Sequence, residues 1–242
     1  MMRTLMISDI HGCQEPFDRL LQEIGYDSAR DQLVLLGDYI DRGPRSKEVV
    51  ERVMELVDRH GAVALRGNHD QRLVDLIRKD EAHIRKKFME HGGRQTINSY
   101  FDVLSAEMNE EALLKAVDFI KANYGHHIEF LESLPYYYED DSHICVHAGL
   151  NPLYSEWKKQ PAHDFMYIKN DFIRNKTNVN KKVVFGHTRA VEIHGKSDIW
   201  FQDDKIGIDG GCAYGMQLNC LIFEDGAYTT RAILNHGSTV GT

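Results

Sequence analysis

The chain has 242 residues, 42% hydrophobic and 27% charged, with a formal net charge of −8. That length carries one large domain or two small ones, with a sizeable core. The acidic balance excludes a general nucleic-acid binder, which needs a basic face for phosphates. It leaves room for a phosphate-bearing substrate, because bound divalent cations invert the local sign of a site.

No stretch approaches the ~18 apolar residues of a membrane span, and residues 1–8 lack a signal-peptide core, so a cytoplasmic protein is expected. Cys13, Cys145, Cys212 and Cys220 show no CxxC spacing and read as reduced, mostly buried thiols.

In chain order, residues 4–7 form a short strand that ends in Ser8-Asp9-Ile10-His11-Gly12. Phe17, Leu20, Leu21 and Ile24 then recur at helical spacing over 16–24. A second strand over 32–36 runs into Gly37-Asp38-Tyr39-Ile40-Asp41-Arg42-Gly43. A short continuous apolar run suits a buried parallel strand, and ligands collect beyond the carboxyl ends of such strands. Residues 46–59 form a helix with Ser46 as its expected N-cap, and a third strand over 62–65 opens into Arg66-Gly67-Asn68-His69-Asp70. This β-α-β-α-β order predicts parallel strands with right-handed crossovers.

From 71 to about 134 the sequence becomes helical and charge-rich, with periodic stretches over 72–91, 98–104 and 110–124, and reads as a helical cap inserted in one domain, 1–242. The turn His91-Gly92-Gly93-Arg94 is expected to be a plain helix connection. Strands return at 143–146, before His147, and at 182–185, before Gly186-His187, with 157–174 between them reading as loop and helix. Two hairpins close the chain, 199–202 with 205–208 and 218–223 with 227–233. A parallel first half and a hairpin-rich second half predict two facing sheets with helices outside.

Five of these strands end in residues that can hold a metal: Asp9 with His11, Asp38, Asn68, His147 and His187. Carboxylate, imidazole and amide oxygen together suit Mn, Fe or Zn better than the all-oxygen sites of Mg or Ca. Six ligands exceed what one ion needs when substrate and water must also bind. Two ions sharing Asp38 fit the count, and such a pair can activate a water between them. His69, with Asp41 nearby, suits a general acid, and Arg42 can fork onto phosphate oxygens.

Asp9-Ile10-His11-Gly12, the 37–43 and 66–70 segments, His147-Ala148-Gly149 and Gly186-His187 together resemble the signature of the calcineurin-like metallophosphoesterases, in that family's order, from 9 to about 211. Asp41-Arg42-Gly43 resembles the phosphoprotein phosphatase branch, which also contains phage-type bacterial phosphatases and symmetrical diadenosine tetraphosphatases. The resemblance implies an α/β fold, a four-layer α/β/β/α sandwich of two mixed sheets. It implies that Asp9, His11 and Asp38 hold one divalent ion and Asp38, Asn68, His147 and His187 the other, Mn first, with Fe or Zn as alternatives. It further implies His69 paired with Asp41 as the acid, with Arg42 and Asn68 on phosphate.

Two departures stand out. Tyr167-Ile168-Lys169 replaces the Trp-Ile-Arg segment frequent in bacterial relatives, so Lys169, a point charge, or else Arg174 stands in for an arginine. Gly210 stands where relatives commonly carry threonine, and Asp209 reads as a structural turn residue. The expected function is hydrolysis of phosphoserine and phosphothreonine in proteins, with phosphotyrosine as a further substrate, by direct attack of a metal-bound hydroxide. The alternatives are a dinucleoside polyphosphate hydrolase and, from another class, a metal-binding scaffold without catalysis. Expected partners are a phosphorylated protein or a small nucleotide substrate, with no nucleic acid and no membrane; oligomeric state is left open.

Overall fold

Strand β1 (Arg3–Ile7) shows how the layers arise. Leu5 and Ile7 join one buried core and Met6 another, because successive side chains of a strand point to opposite faces. Strand β2 (Asp31–Leu35) repeats the pattern, with Leu33 and Leu35 on one side and Val34 on the other. The computed structural model describes residues 3–79, 81–101 and 108–236.

Between β1 and β2 lies helix α1 (Gln14–Glu23), and α2 (Ser46–His60) leads to β3 (Val63–Ala64). Then come α3 (Asn68–Lys79), α4 (Ala82–Glu90), α5 (Gly93–Tyr100), α6 (Glu110–Asn123) and α7 (Gly125–Ser133). Strands β4 (Tyr137–Glu139) and β5 (His143–Val146) precede α8 (Ala162–Tyr167), α9 (Asn170–Ile173), β6 (Lys182–Phe185) and α10 (Ala190–His194). The chain closes with β7 (Trp200–Phe201), β8 (Lys205–Gly207), β9 (Gln217–Glu224) and β10 (Ala227–Leu234).

One sheet has the order β10-β9-β1-β2-β3 and the other β4-β5-β6-β8-β7. Met6, Val34, Leu36 and Leu221 of the first face Cys145, Val184, Ile206 and Ile208 of the second in a core between the sheets. The outer face of the first sheet packs on Phe17, Val53, Leu73, Ile97, Ile120 and Leu131, from α1, α2, α3, α5, α6 and α7. Phe165 and Phe172, from α8 and α9, cover the outer face of the second. Four layers result, as expected. Strands buried on both faces explain the continuous apolar runs. Among the described residues no helix is long and apolar enough to cross a membrane, and all four cysteines are free and buried.

Several sequence expectations need correction. The two halves of the chain do not form separate sheets: the β9–β10 hairpin pairs antiparallel with β1 of the first sheet, while β5, β6 and β8 run parallel in the second. The 72–91 stretch is two helices rather than one. The 98–104 helix is instead α5, which starts at Gly93 and ends at Tyr100; residues 102–104 lie outside the described ones. Helix α7 and strand β4 were not anticipated. Arg45, with no side-chain bond, holds the N-cap position of α2. Ser46 is its first helical residue, and its hydroxyl accepts from the Asp41 N–H at 3.1 Å. The hydroxyl serves the loop ahead of the helix instead of the helix end.

Register positions the site. Ile7 pairs with Leu35 in parallel β1–β2, and Val146 with Phe185 in parallel β5–β6. The loops after all four strands therefore open at one edge of the sandwich.

Candidate active site

The backbone at that edge is strained in a patterned way. Seven described non-glycine residues have positive φ, and six are expected site residues: Asp9 (56°), His11 (48°), Asp38 (58°), Asp41 (71°), Arg42 (68°) and His187 (61°). Each left-handed residue costs about 1–3 kcal/mol and persists only where surrounding structure enforces it, typically at functional sites. The enforcement is visible. His11 N–H donates to the Asp38 carbonyl at 2.9 Å, and Asp9 N–H to the Gly37 carbonyl at 3.1 Å. A Cβ on Gly12 would lie 2.7 Å from the Gly43 oxygen, so only glycine lets these loops touch. Asp70 accepts from the N–H groups of Asp38, Tyr39 and Gly67 at 2.9, 3.0 and 2.8 Å, binding the second loop to the start of α3.

Asp38 is shared by two groups of metal-competent atoms, one with His11 and His69, the other with His147 and His187. Its Oδ2 lies 3.5 Å from His11 Nε2 and 3.4 Å from His147 Nε2. Both rings are fixed from behind: His11 Nδ1 meets the Ile40 carbonyl at 2.7 Å and His147 Nδ1 the Leu36 carbonyl at 2.8 Å. That arrangement, with one ring nitrogen on a carbonyl and the other turned inward, is how metal-ligating histidines are held. Asp9 stands at the margin, its Oδ1 3.8 Å from His11 Nε2 and its Oδ2 accepting from the His187 N–H at 2.9 Å. The Asn68 amide lies 3.0 Å from His147 Nε2. With its nitrogen toward His147 and His187, its oxygen accepts from Arg72 Nη1 at 3.1 Å.

Burial disfavours charge here, and the residues respond unequally. Burial pushes Asp9 up and the His11 and His187 imidazoles down. Asp38 is held well below the carboxylate range: burial opposes this, but His147 and His69 outweigh it. His147 shows the converse, raised to about 9 against burial by Asp38. A divalent cation would take the place of that proton, since ligation requires the neutral ring. Buried imidazoles, carboxylates and an amide on one shared point therefore fit a borderline divalent metal.

His69 Nδ1 lies 2.6 Å from Asp41 Oδ2, and the Thr96 hydroxyl donates to Asp41 Oδ1 at 2.6 Å. Burial pushes the Asp41 carboxyl up to about 7. His69 Nε2 faces the open side, 2.8 Å from Arg42 Nη2 and 2.9 Å from Arg72 Nη1, while Arg42 Nη1 rests against His11 Nε2. The backbone N–H of Arg42 donates to the Gly92 carbonyl at 3.0 Å. The His91–Arg94 turn is thus more than the plain connection expected: its Gly92 carbonyl holds the Arg42 backbone, and the His91 ring stands 6.4 Å, centre to centre, from that of His69. A Cβ on Gly92, whose φ is +95°, would lie 2.9 Å from that Arg42 nitrogen.

His11, Asp38, Arg42, Asn68, His69, Arg72 and His187 line a cavity of about 380 Å³, joined by Lys169, Arg189, Glu192 and Tyr214. Arg174 is not among its lining residues, so the second cation near the cavity is not the alternative considered from sequence. Asp209 accepts from the Gly211 N–H at 2.8 Å, as a turn residue does. A Cβ on Gly210 would run into the Gln217 carbonyl, which accounts for glycine there. Sequence reasoning missed Arg72, Arg189, Tyr214, Asp70 and Thr96. Arg72 was detectable, three residues past His69 and on the same helical face; Tyr214 and Thr96 carried no local signal.

The calcineurin-like phosphoesterase family matches residues 2–212. The chain belongs to that family. This calcineurin-like phosphoesterase is 25% identical to the asymmetrical bis(5'-nucleosyl)-tetraphosphatase of Anoxybacillus flavithermus, over 91% of this chain and 90% of that one. It is 31% identical to the symmetrical bis(5'-nucleosyl)-tetraphosphatase of Aromatoleum aromaticum, over 64% of this chain but only 46% of that one. Among solved structures it resembles a putative diadenosine tetraphosphatase, with TM-score 0.64, 22% identity and 97% and 95% of the two chains covered. It also resembles a Saccharomyces cerevisiae protein serine/threonine phosphatase with similarity to human PP5, with TM-score 0.60, 14% identity and coverage of 96% and 80%. At those identities the structural likenesses speak for the fold alone.

Proposed function

We propose that this metal-dependent phosphoesterase hydrolyses the phosphoanhydride chain of dinucleoside polyphosphates. The observation that carries this is the cavity wall: Arg42, Arg72, Lys169 and Arg189 converge beside the donor cluster, more positive charge than one phosphoryl group calls for. Relatives matched over nearly their whole length and named bis(5'-nucleosyl)-tetraphosphatases support it. The order of preference differs from the sequence expectation, which placed phosphoproteins first.

In this reading Asp9, His11 and Asp38 hold one divalent ion and Asp38, Asn68, His147 and His187 a second, Mn first. Bound there, such ions supply charge neutralisation of the phosphoryl oxygens and activation of water. Arg42 forks onto the attacked phosphoryl group, and Asn68 stands beside it. His69, oriented by Asp41, gives a proton from Nε2 to the departing oxygen. Asp41 keeps the other ring nitrogen engaged, so the proton moves at one defined atom. No side chain serves as nucleophile, and no phosphoenzyme forms. We further take the chain as one cytoplasmic domain, 1–242, with residues 71–134 as its helical cap.

Hydrolysis of phosphoserine and phosphothreonine is the second reading. It is favoured by the position of the cavity at the surface, where Tyr214 is 40% exposed. The test is a Mn-supplemented assay of the purified protein on diadenosine tetraphosphate and a phosphoserine peptide in parallel. Nucleotide products with an inert peptide are expected. Phosphate release from the peptide alone would replace the first reading by the second, and silence on both with metal bound would leave a scaffold.

A further inference from the structure

Arg189, the residue immediately before α10, carries a guanidinium whose carbon lies 4.2 Å from the ring centre of Tyr214. Arg42 approaches the same ring at 5.1 Å. One aromatic ring therefore spaces two cations on the cavity wall. Their engagements differ. Both Nη atoms of Arg42 face histidine nitrogens of the donor cluster, on His11 and His69. Arg189 instead donates from Nε to Glu192 Oε1 at 2.7 Å, and neither of its Nη atoms has a protein partner among the described residues. Glu192 also steadies Lys169, whose Nζ lies 3.8 Å from Oε2.

An arginine stacked on an aromatic ring and tethered through Nε has lost most of its rotamer freedom, and its terminal edge is oriented for a planar, two-point grip on an anion. The site at Arg42, His69 and Asp38 already accounts for one phosphoryl group. We propose that Arg189, held by Tyr214 and Glu192, binds the phosphoryl group joined by anhydride to the attacked one, and so selects phosphoanhydrides over phosphomonoesters. Arg189 is a binding residue in this assignment, and Tyr214 and Glu192 are positioning residues. The inference rests on the proposed placement of the attacked group at Arg42. It concerns this chain's own residue two positions past His187.

The experiment compares Mn-loaded wild type with Arg189→Gln and Tyr214→Leu on diadenosine tetraphosphate and on p-nitrophenyl phosphate. The ratio of kcat/KM for the tetraphosphate to kcat/KM for the monoester should fall about ten- to hundredfold in Arg189→Gln, the range of one charge-assisted contact. Most of that fall should reside in KM, with a smaller fall in Tyr214→Leu. Pyrophosphate and orthophosphate, each at fixed free Mn, are then compared as inhibitors of p-nitrophenyl phosphate hydrolysis. Wild type should bind pyrophosphate more tightly than orthophosphate, and Arg189→Gln should erase that preference.

An unchanged ratio and an unchanged inhibitor preference would overturn the assignment, as would equal losses on both substrates. If wild type leaves the tetraphosphate intact, the proposed substrate fails. The inhibitor preference then decides Arg189 on its own: its loss in Arg189→Gln upholds the assignment, its persistence ends it.

Discussion

The Nδ1 of His69, in the first turn of α3, lies 2.6 Å from Oδ2 of Asp41, in the loop after β2, and both residues are buried. Asp41→Asn removes the carboxylate charge behind Nδ1, so the protonated His69 ring that gives its proton from Nε2 is harder to form. Turnover of the tetraphosphate should fall about 10²- to 10⁴-fold, with metal content retained. His69→Asn should slow substrates with poor leaving groups far more than p-nitrophenyl phosphate. Equal loss on both substrates would remove His69 as the acid.

Asp38 is the one carboxylate common to both donor groups. Asp38→Asn weakens a shared ligand, so elemental analysis after dialysis should show loss of metal alongside loss of activity. A chelator should abolish wild-type activity, and Mn should restore it. Full metal stoichiometry in Asp38→Asn would end the bridging role.

Asp70 has a structural task. Its carboxylate takes three backbone N–H groups, at 2.8, 2.9 and 3.0 Å, from the loops that carry Asp38 and Asn68. Asp70→Ala leaves those donors unpaired in a buried place, and the urea midpoint should report a loss of about 3 kcal/mol. A change below about 0.5 kcal/mol, the scatter of ordinary surface substitutions, would show that water replaces the carboxylate.

His127 reports on pH away from the site. It is buried among Tyr100, Tyr124 and His126, accepts from or donates to the Tyr100 hydroxyl at 3.0 Å, and burial lowers its pKa to about 4. The unfolded chain binds this proton more readily than the folded one. The contribution is therefore complete above pH ~6.5 and is lost at about 1.4 kcal/mol per pH unit as pH falls toward 4. Urea midpoints at pH 7 and pH 5 should separate accordingly in wild type. The gap should narrow in His127→Gln, and an equal gap in both proteins would place the acid sensitivity elsewhere.

The site was legible in the sequence where its signals are local. Asp9-Ile10-His11, Asp38, Asn68-His69, His147 and His187 each come shortly after an apolar run, and parallel strands that end together bring such residues to one edge. The layers were legible for a similar reason, because short apolar runs are what strands covered on both faces require. What only the tertiary structure decided are the pairings made across long stretches of chain. Thr96 meets Asp41 from 55 residues away, Leu36 orients His147 from 111, and Asp9 receives the His187 N–H from 178. The seating of β9–β10 beside β1, the Gly92 carbonyl on Arg42, and Arg189 stacked on Tyr214 belong with them. Local sequence carries the period of burial and the chemistry of each loop. It does not carry the partner, since hydrogen bonds and ring contacts depend on which surfaces the packed layers bring together.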